Sequence, residues 1–160
     1  MESILLANKK ILTHSSRETS DIGLSMAREL LKESTRGDRT RSLPKILCLY
    51  GDLGSGKTTF TQGFAKGLGY TGRLPSPTFI IVRRYGLPMN DFLFYHVDLY
   101  RLRSFDELVG VGLKEIFEDS QSFTVVEWAD RLGKLVPSHR IDMRFEQLSE
   151  NEHSIVVQFV

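Results

Sequence analysis

The chain has 160 residues, 41% of them apolar and 26% charged, and a formal net charge of +1. That length predicts one domain over residues 1–160 that buries about two-thirds of its unfolded surface. The near-zero charge excludes a global field that would draw nucleic acid or an anionic membrane, leaving only local patches. A single cysteine, Cys48, excludes a disulfide framework. No apolar stretch approaches the roughly 20 residues of a membrane span. Ile4-Leu5-Leu6-Ala7 ahead of Lys9-Lys10 is too short for a signal-peptide core, so the expectation is a cytoplasmic protein that does not engage membranes.

In chain order, Ile11-Leu12-Thr13 reads as a short first strand. Ser15 with Glu18 has the spacing of a capping box, and Gly23, Met26, Ala27, Leu30 and Leu31 then line one face of a helix ending near Ser34. Residues 35–44 are polar and turn-rich, with Arg36, Arg39 and Arg41 against Asp38. They read as a solvated loop, with an RNA or partner contact as the other reading. Lys45 to Tyr50 is a short apolar run suited to a buried strand, and Thr58 to Leu68 places Phe60, Phe64, Ala65 and Leu68 on one helical face. Gly69 and Gly72 break that helix, and Pro75-Ser76-Pro77 enforces an extended segment. Phe79–Val82 and Phe92–Val97, separated by Gly86, Pro88, Asn90 and Asp91, predict an antiparallel hairpin. A second capping box, Ser104 with Glu107, starts a helical stretch interrupted at Gly110 and Gly112 and resuming through Phe117. Phe123–Val126 is a buried strand ending at Glu127-Trp128. Ile141, Met143 and Phe145, then Ile155, Val157 and Phe159, alternate with polar neighbours around a turn at 149–151, which predicts a final hairpin. The sum is an α/β domain with a mixed sheet and helices on both faces.

Between the second strand and second helix lies Gly51-Asp52-Leu53-Gly54-Ser55-Gly56-Lys57-Thr58, a complete G-x-x-x-x-G-K-[ST] phosphate-binding loop. Its glycines let successive N–H groups of Asp52 to Thr59 point inward at phosphate, Lys57 reaches the outer phosphate oxygens, and the Thr58 hydroxyl suits Mg²⁺. Strand, glycine turn and helix together put the phosphates on a helix N-terminus. Such a loop needs a second acid for the metal and a group to orient water. Asp98 and Glu127, each ending a strand, point toward the crevice where α/β sheets bind ligands, although acids there also serve as caps or surface turns. Ser76-Pro77-Thr78 reads as a sensor of the terminal phosphate or as simply a turn. His96 shares a strand face with Asp98, and Trp128 is suited either to cover a nucleotide or to pack in the core. Arg101 could stabilise phosphate charge or form a salt bridge at the strand end.

Two rival readings can be weighed on the residues alone. A Ras-like GTPase needs a downstream Asn-Lys-x-Asp, and the sole Asn-Lys pair, Asn8-Lys9, lies upstream without the Asp. Asp130-Arg131-Leu132-Gly133 matches D-x-x-G formally but follows Glu127-Trp128. A small-molecule kinase usually carries an arginine-bearing lid late in the chain, where only Arg140 and Arg144 are available. A binding module gated by nucleotide without essential hydrolysis also stays open.

The ordered set Gly51–Phe60, Ser76-Pro77-Thr78-Phe79, His96-Val97-Asp98-Leu99-Tyr100-Arg101-Leu102 and Glu127-Trp128 resembles the TsaE (YjeE-type) family, the P-loop ATPases of bacterial tRNA threonylcarbamoyladenosine biosynthesis. The resemblance runs from the N-terminal helix to Arg131. It implies a three-layer αβα P-loop NTPase fold, a Mg²⁺-dependent ATPase with weak intrinsic turnover, and two protein partners. Those are a TsaD-type transferase and a TsaB-type scaffold, with tRNA contacted through the complex. It further implies that Lys57 grips phosphate and Thr58 binds Mg²⁺. Glu127 would be a metal or water-shell acid, Asp98 a second acid needed for hydrolysis, and Thr78 part of a switch-like segment. Trp128 would lie beside the nucleotide, and Thr19 is the candidate for adenine contact. Asp130 stands where the family often has Glu, and the basic segment 35–44 is left without a function.

Overall fold

The computed structural model describes residues 8–37, 42–75, 81–88 and 91–160. Strand β1 (Lys9–Thr13) leads into helix α1 (Ser16–Thr35), followed by β2 (Ile46–Tyr50), α2 (Lys57–Gly67), β3 (Val82–Gly86) and β4 (Leu93–Asp98). Two short helices, α3 (Phe105–Val109) and α4 (Leu113–Glu118), precede β5 (Ser122–Glu127), a 3₁₀ segment (Ala129–Leu135), and the hairpin β6 (Ile141–Gln147) and β7 (His153–Phe159). Both capping boxes form. The Ser15 hydroxyl accepts from the Glu18 N–H at the start of α1 while the Glu18 carboxylate accepts from the His14 N–H. Ser104 and Glu107 repeat the arrangement at α3, with the Glu107 carboxylate accepting from the Arg103 N–H.

All seven described strands form one mixed sheet in the order β1-β7-β6-β2-β5-β4-β3. The central four, β6, β2, β5 and β4, are parallel, and antiparallel pairs close both flanks. One sheet face, with Leu47, Leu49, Phe94, Phe123 and Met143, is buried under Met26, Ala27 and Leu30 of α1 and Phe60 and Phe64 of α2. The opposite face, with Cys48, Val97 and Val126, is buried under Leu108, Leu113 and Leu132. The result is the three-layer αβα arrangement expected from helices alternating with strands of both orientations. Among the described residues, no helix is long and apolar enough to cross a membrane.

Two parts of the chain differ from the sequence reading. Of the strand expected at Phe79–Val82, Phe79 and Ile80 lie outside the described residues; the described strand runs over Val82–Gly86, so Gly86, assigned to the turn, pairs with Leu93. Arg83 and Arg84 hid this strand, because an edge strand with polar positions lacks the apolar run of a central one. Residues 76–80, including Ser76, Pro77 and Thr78, lie outside the described residues, as do 38–41 of the basic segment and Asn90 of the turn. The 3₁₀ segment after Trp128 was not anticipated, since Gly133 interrupts any helical pattern there.

The P-loop helix is located by direct backbone contact with α1. A Cβ on Gly63 would sit 1.9 Å from the Ser20 carbonyl oxygen, and one on Gly23 would sit 2.2 Å from that of Phe60. Neither obstacle is a side chain that can swing away. Gly63→Ala is therefore expected to force the helices apart and cost about 2–3 kcal/mol in urea unfolding, whereas Gly86→Ala, which meets nothing within 4 Å, should stay within about 0.5 kcal/mol. Equal losses at the two sites would refute the close approach.

The thiol of Cys48 is fully buried in β2, and burial, aided by the nearby Asp142 carboxylate, pushes it up to about 12. The thiolate is the reactive form, and at pH 8 only about one thiol in ten thousand would carry it. Alkylation at pH 8 should be negligible in the native chain and complete in denaturant. Native reaction within tenfold of a free thiol would contradict this packing.

Candidate functional site

Because β2, β5 and β4 run parallel, their carboxyl ends meet at one edge of the sheet. The loop after β2 therefore faces Glu127 at the end of β5 and Asp98 at the end of β4, which are register partners. Antiparallel β7 begins, and β1 ends, at the same edge, with Thr13 opposite His153. A cleft of about 320 Å³ opens there, lined on one side by Asp98, Glu127 and Trp128 and on the other by Ser16, Thr19 and His153. Gly54 to Thr59 form its floor.

The loop's curl depends on its glycines. Gly51 lies so close to β6 that a Cβ would come 2.4 Å from the Phe145 carbonyl oxygen, and Gly56 has φ of +101°, which favours glycine. Lys57, the first residue of α2, is almost fully buried. Its ammonium donates to the carbonyls of Gly51 (2.6 Å) and Asp52 (2.8 Å) and to Ser55 Oγ (3.2 Å). It also lies 4.4 Å from the centre of the Trp128 ring. Burial lowers its pKa, and the carboxylates of Glu127 and Asp98 oppose that shift.

Glu127 is 2% exposed and accepts on both carboxylate oxygens. Oε1 is 2.9 Å from His96 Nε2, and Oε2 accepts from the Thr58 hydroxyl at 2.9 Å. Burial pushes the carboxyl up, but the His96 hydrogen bond and charge together with Thr58 more than offset it, and the net shift is downward. Asp98 is only half-buried and accepts from the Tyr100 N–H at 2.9 Å. Burial raises its pKa, the Tyr100 bond opposes this, and the Glu127 charge adds to the rise. The carboxyl groups on these adjacent strands are thus driven in opposite directions, Glu127 downward by its hydrogen bonds and Asp98 upward by burial.

Of the other anticipated residues, Leu53 is 71% exposed at the loop tip and Thr59 lines the cleft. Thr19 also lines it, but its hydroxyl lies 2.8 Å from that of Thr13, so its methyl group faces Gly56. Trp128 adopts φ of +59° at the turn out of β5. Arg131 stacks on it at 5.5 Å and donates to the carbonyls of Leu99, Tyr100 and Leu102, which ties the segment after Asp98 to the segment after Glu127. Thr78 lies outside the described residues. Sequence reasoning missed His153 and Ser16. No local signal marks His153, which reaches the loop only because β6 and β7 stack beside β2 in the sheet.

Residues 13–155 match the model of the family described as threonylcarbamoyl adenosine biosynthesis protein TsaE. The chain belongs to the TsaE family. A Bacillus subtilis protein named tRNA threonylcarbamoyladenosine biosynthesis protein TsaE is 42% identical over 69% of this chain, a stretch that spans 66% of that relative, just under two thirds of its length. A Rickettsia bellii protein of the same name is 30% identical over 92% of both chains. The crystal structure of Bacillus subtilis YdiB is similar over 96% of this chain and 86% of its own, with a TM-score of 0.67 and 30% identity. That likeness, with the three layers and the glycine loop, fits a P-loop NTPase fold.

As the chain's single tryptophan, Trp128 should report on Lys57. Inorganic tripolyphosphate drawing the ammonium toward it is expected to change Trp128 emission. Lys57→Ala should abolish that response and weaken binding at least about tenfold, as loss of a charge-assisted contact implies. An unchanged titration in the variant would remove Lys57 from the phosphate site.

Proposed function

We propose that this TsaE-family chain is a Mg²⁺-dependent ATPase with weak intrinsic turnover. In this reading it acts in the cytoplasm in the threonylcarbamoyladenosine modification of tRNAs that read ANN codons. It would dock on a TsaD-type transferase and TsaB-type scaffold and meet tRNA through that complex, its ATP cycle allowing the transferase to turn over. The observation that carries the enzymatic part is the contact of Thr58, in the phosphate loop, with the buried carboxylate of Glu127 at 2.9 Å, beside Lys57 and Asp98.

The donor set suits Mg²⁺ held jointly with nucleotide phosphates. Thr58 and Glu127 offer hard oxygen donors, Asp98 offers a further carboxylate, and the described residues contain no cluster of three or more ligating side chains that would hold a metal alone. When bound, Mg²⁺ would neutralise charge on the phosphate oxygens. The loop N–H groups and Lys57 bind and orient the phosphate chain on the N-terminus of α2. Glu127, whose hydrogen bonds to His96 and Thr58 favour the anion, would accept a hydrogen bond from a water of the metal shell or from the attacking water. Asp98, lining the cleft from β4, would help orient the same water. Catalysis in this class is mostly positioning and charge stabilisation, so weak turnover by the isolated chain fits a site whose remaining parts come from partners.

Glu127→Gln and Asp98→Asn should each lower phosphate release from ATP by about 10²-fold or more, the scale of losing one such group. ATP affinity should change far less. Reconstituted with the transferase and scaffold, Glu127→Gln should support no repeated rounds of tRNA modification. Modification that continues without hydrolysis would replace the ATPase reading with a nucleotide-gated module, and label from ATP appearing on a metabolite would replace it with a kinase.

A further inference from the structure

His96 has no assigned role, yet it is fully enclosed beside the site, with 0% exposure. It comes from β4, on the face it shares with Phe94 and Asp98, and its ring stacks near Phe94 at 6.4 Å between centres. Its one hydrogen bond runs from Nε2 to Oε1 of Glu127 at 2.9 Å, and Nδ1 has no partner among the described residues. An ionised carboxylate only accepts, so Nε2 must carry the proton and donate.

This contact divides the carboxylate between two elements. Oε1 is committed inward to β4, while Oε2 faces the Thr58 hydroxyl at the start of α2. With Oε1 turned inward to His96, Oε2 is the oxygen placed beside Thr58 at the cleft, and this orientation favours presenting a single oxygen to a cation. Mg²⁺, with six ligands and several retained waters, is well served by single oxygens, whereas Ca²⁺ takes more ligands and readily accepts both oxygens of a carboxylate.

We propose that His96 is a positioning residue that restricts Glu127 to one available oxygen and thereby sets the preference of the site for Mg²⁺ over Ca²⁺. The inference rests on the Mg²⁺–nucleotide reading above. Partners of this kind typically account for a 10–100-fold effect on metal affinity.

The test uses the full chain and two substitutions. His96→Gln places an amide N–H the same number of bonds from the backbone as Nε2, whereas the donor of His96→Asn falls one bond short. ATP binding is followed by Trp128 emission in EDTA and in titrations with Mg²⁺ and with Ca²⁺. ATP affinity in EDTA should stay within about twofold in both variants. In His96→Asn the half-saturating Mg²⁺ should rise about tenfold or more while that for Ca²⁺ moves less than about twofold; His96→Gln should recover most of the Mg²⁺ response. A purely structural role would shift both cations together, and that outcome, or a His96→Asn chain that responds to Mg²⁺ as the wild type does, overturns the inference. Should His96→Asn not fold, a ¹⁵N measurement of the wild-type imidazole decides, since a His96 Nε2 without a bound proton would also overturn it. A wild-type chain indifferent to Mg²⁺ would instead overturn the proposed function, and this inference with it.

Discussion

The structure turns on one buried charge. Glu127 ends β5 almost wholly out of water, and an ion in that position left unpaired would cost several kcal/mol. It is tolerated because one oxygen bonds to β4 through His96 and the other to α2 through Thr58. The same two bonds that offset desolvation fix three elements relative to each other. The phosphate loop, the second carboxylate on β4 and the indole after β5 are therefore held in one geometry by a requirement of folding.

The other anchor of the loop is steric. Gly23 and Gly63 let the backbones of α1 and α2 meet without intervening side chains, so the first turn of α2 sits beside the first turn of α1. Both helix N-termini then open on the same cleft, and Ser16 and Thr19 become its wall. On the opposite side, Arg131 spans the carbonyls of residues 99, 100 and 102 while stacking on Trp128. A cation lies over the same indole from the loop side at Lys57. Changes at the phosphate loop thus have a short path to the segment that follows Asp98.

Membership of the TsaE family accords with this division of labour. The domain sets its glycine loop against one fixed carboxylate, Glu127, while the half-buried Asp98 lines the same cleft and stays partly open to solvent. The exposed Leu53 and Tyr100 stand at the rim of that same opening.

Much of this was legible in the chain itself. Local rules sufficed for the capping boxes at Ser15 and Ser104, the strand–loop–helix frame around Gly51–Thr58, the alternation of the final hairpin and the placement of Asp98 and Glu127 at strand ends. They sufficed because capping, glycine turns and period-two burial each act within a few residues. The strand at Val82–Gly86 escaped them, since an edge strand need not be apolar. Three decisions belonged to the tertiary structure alone. Sheet order brought His153 to the loop, helix contact turned Thr19 toward Gly56, and the pairing of β4 with β5 gave Glu127 its histidine. Each depends on residues about 30 to about 100 positions apart meeting in space, and sequence spacing carries no record of which strands and helices become neighbours.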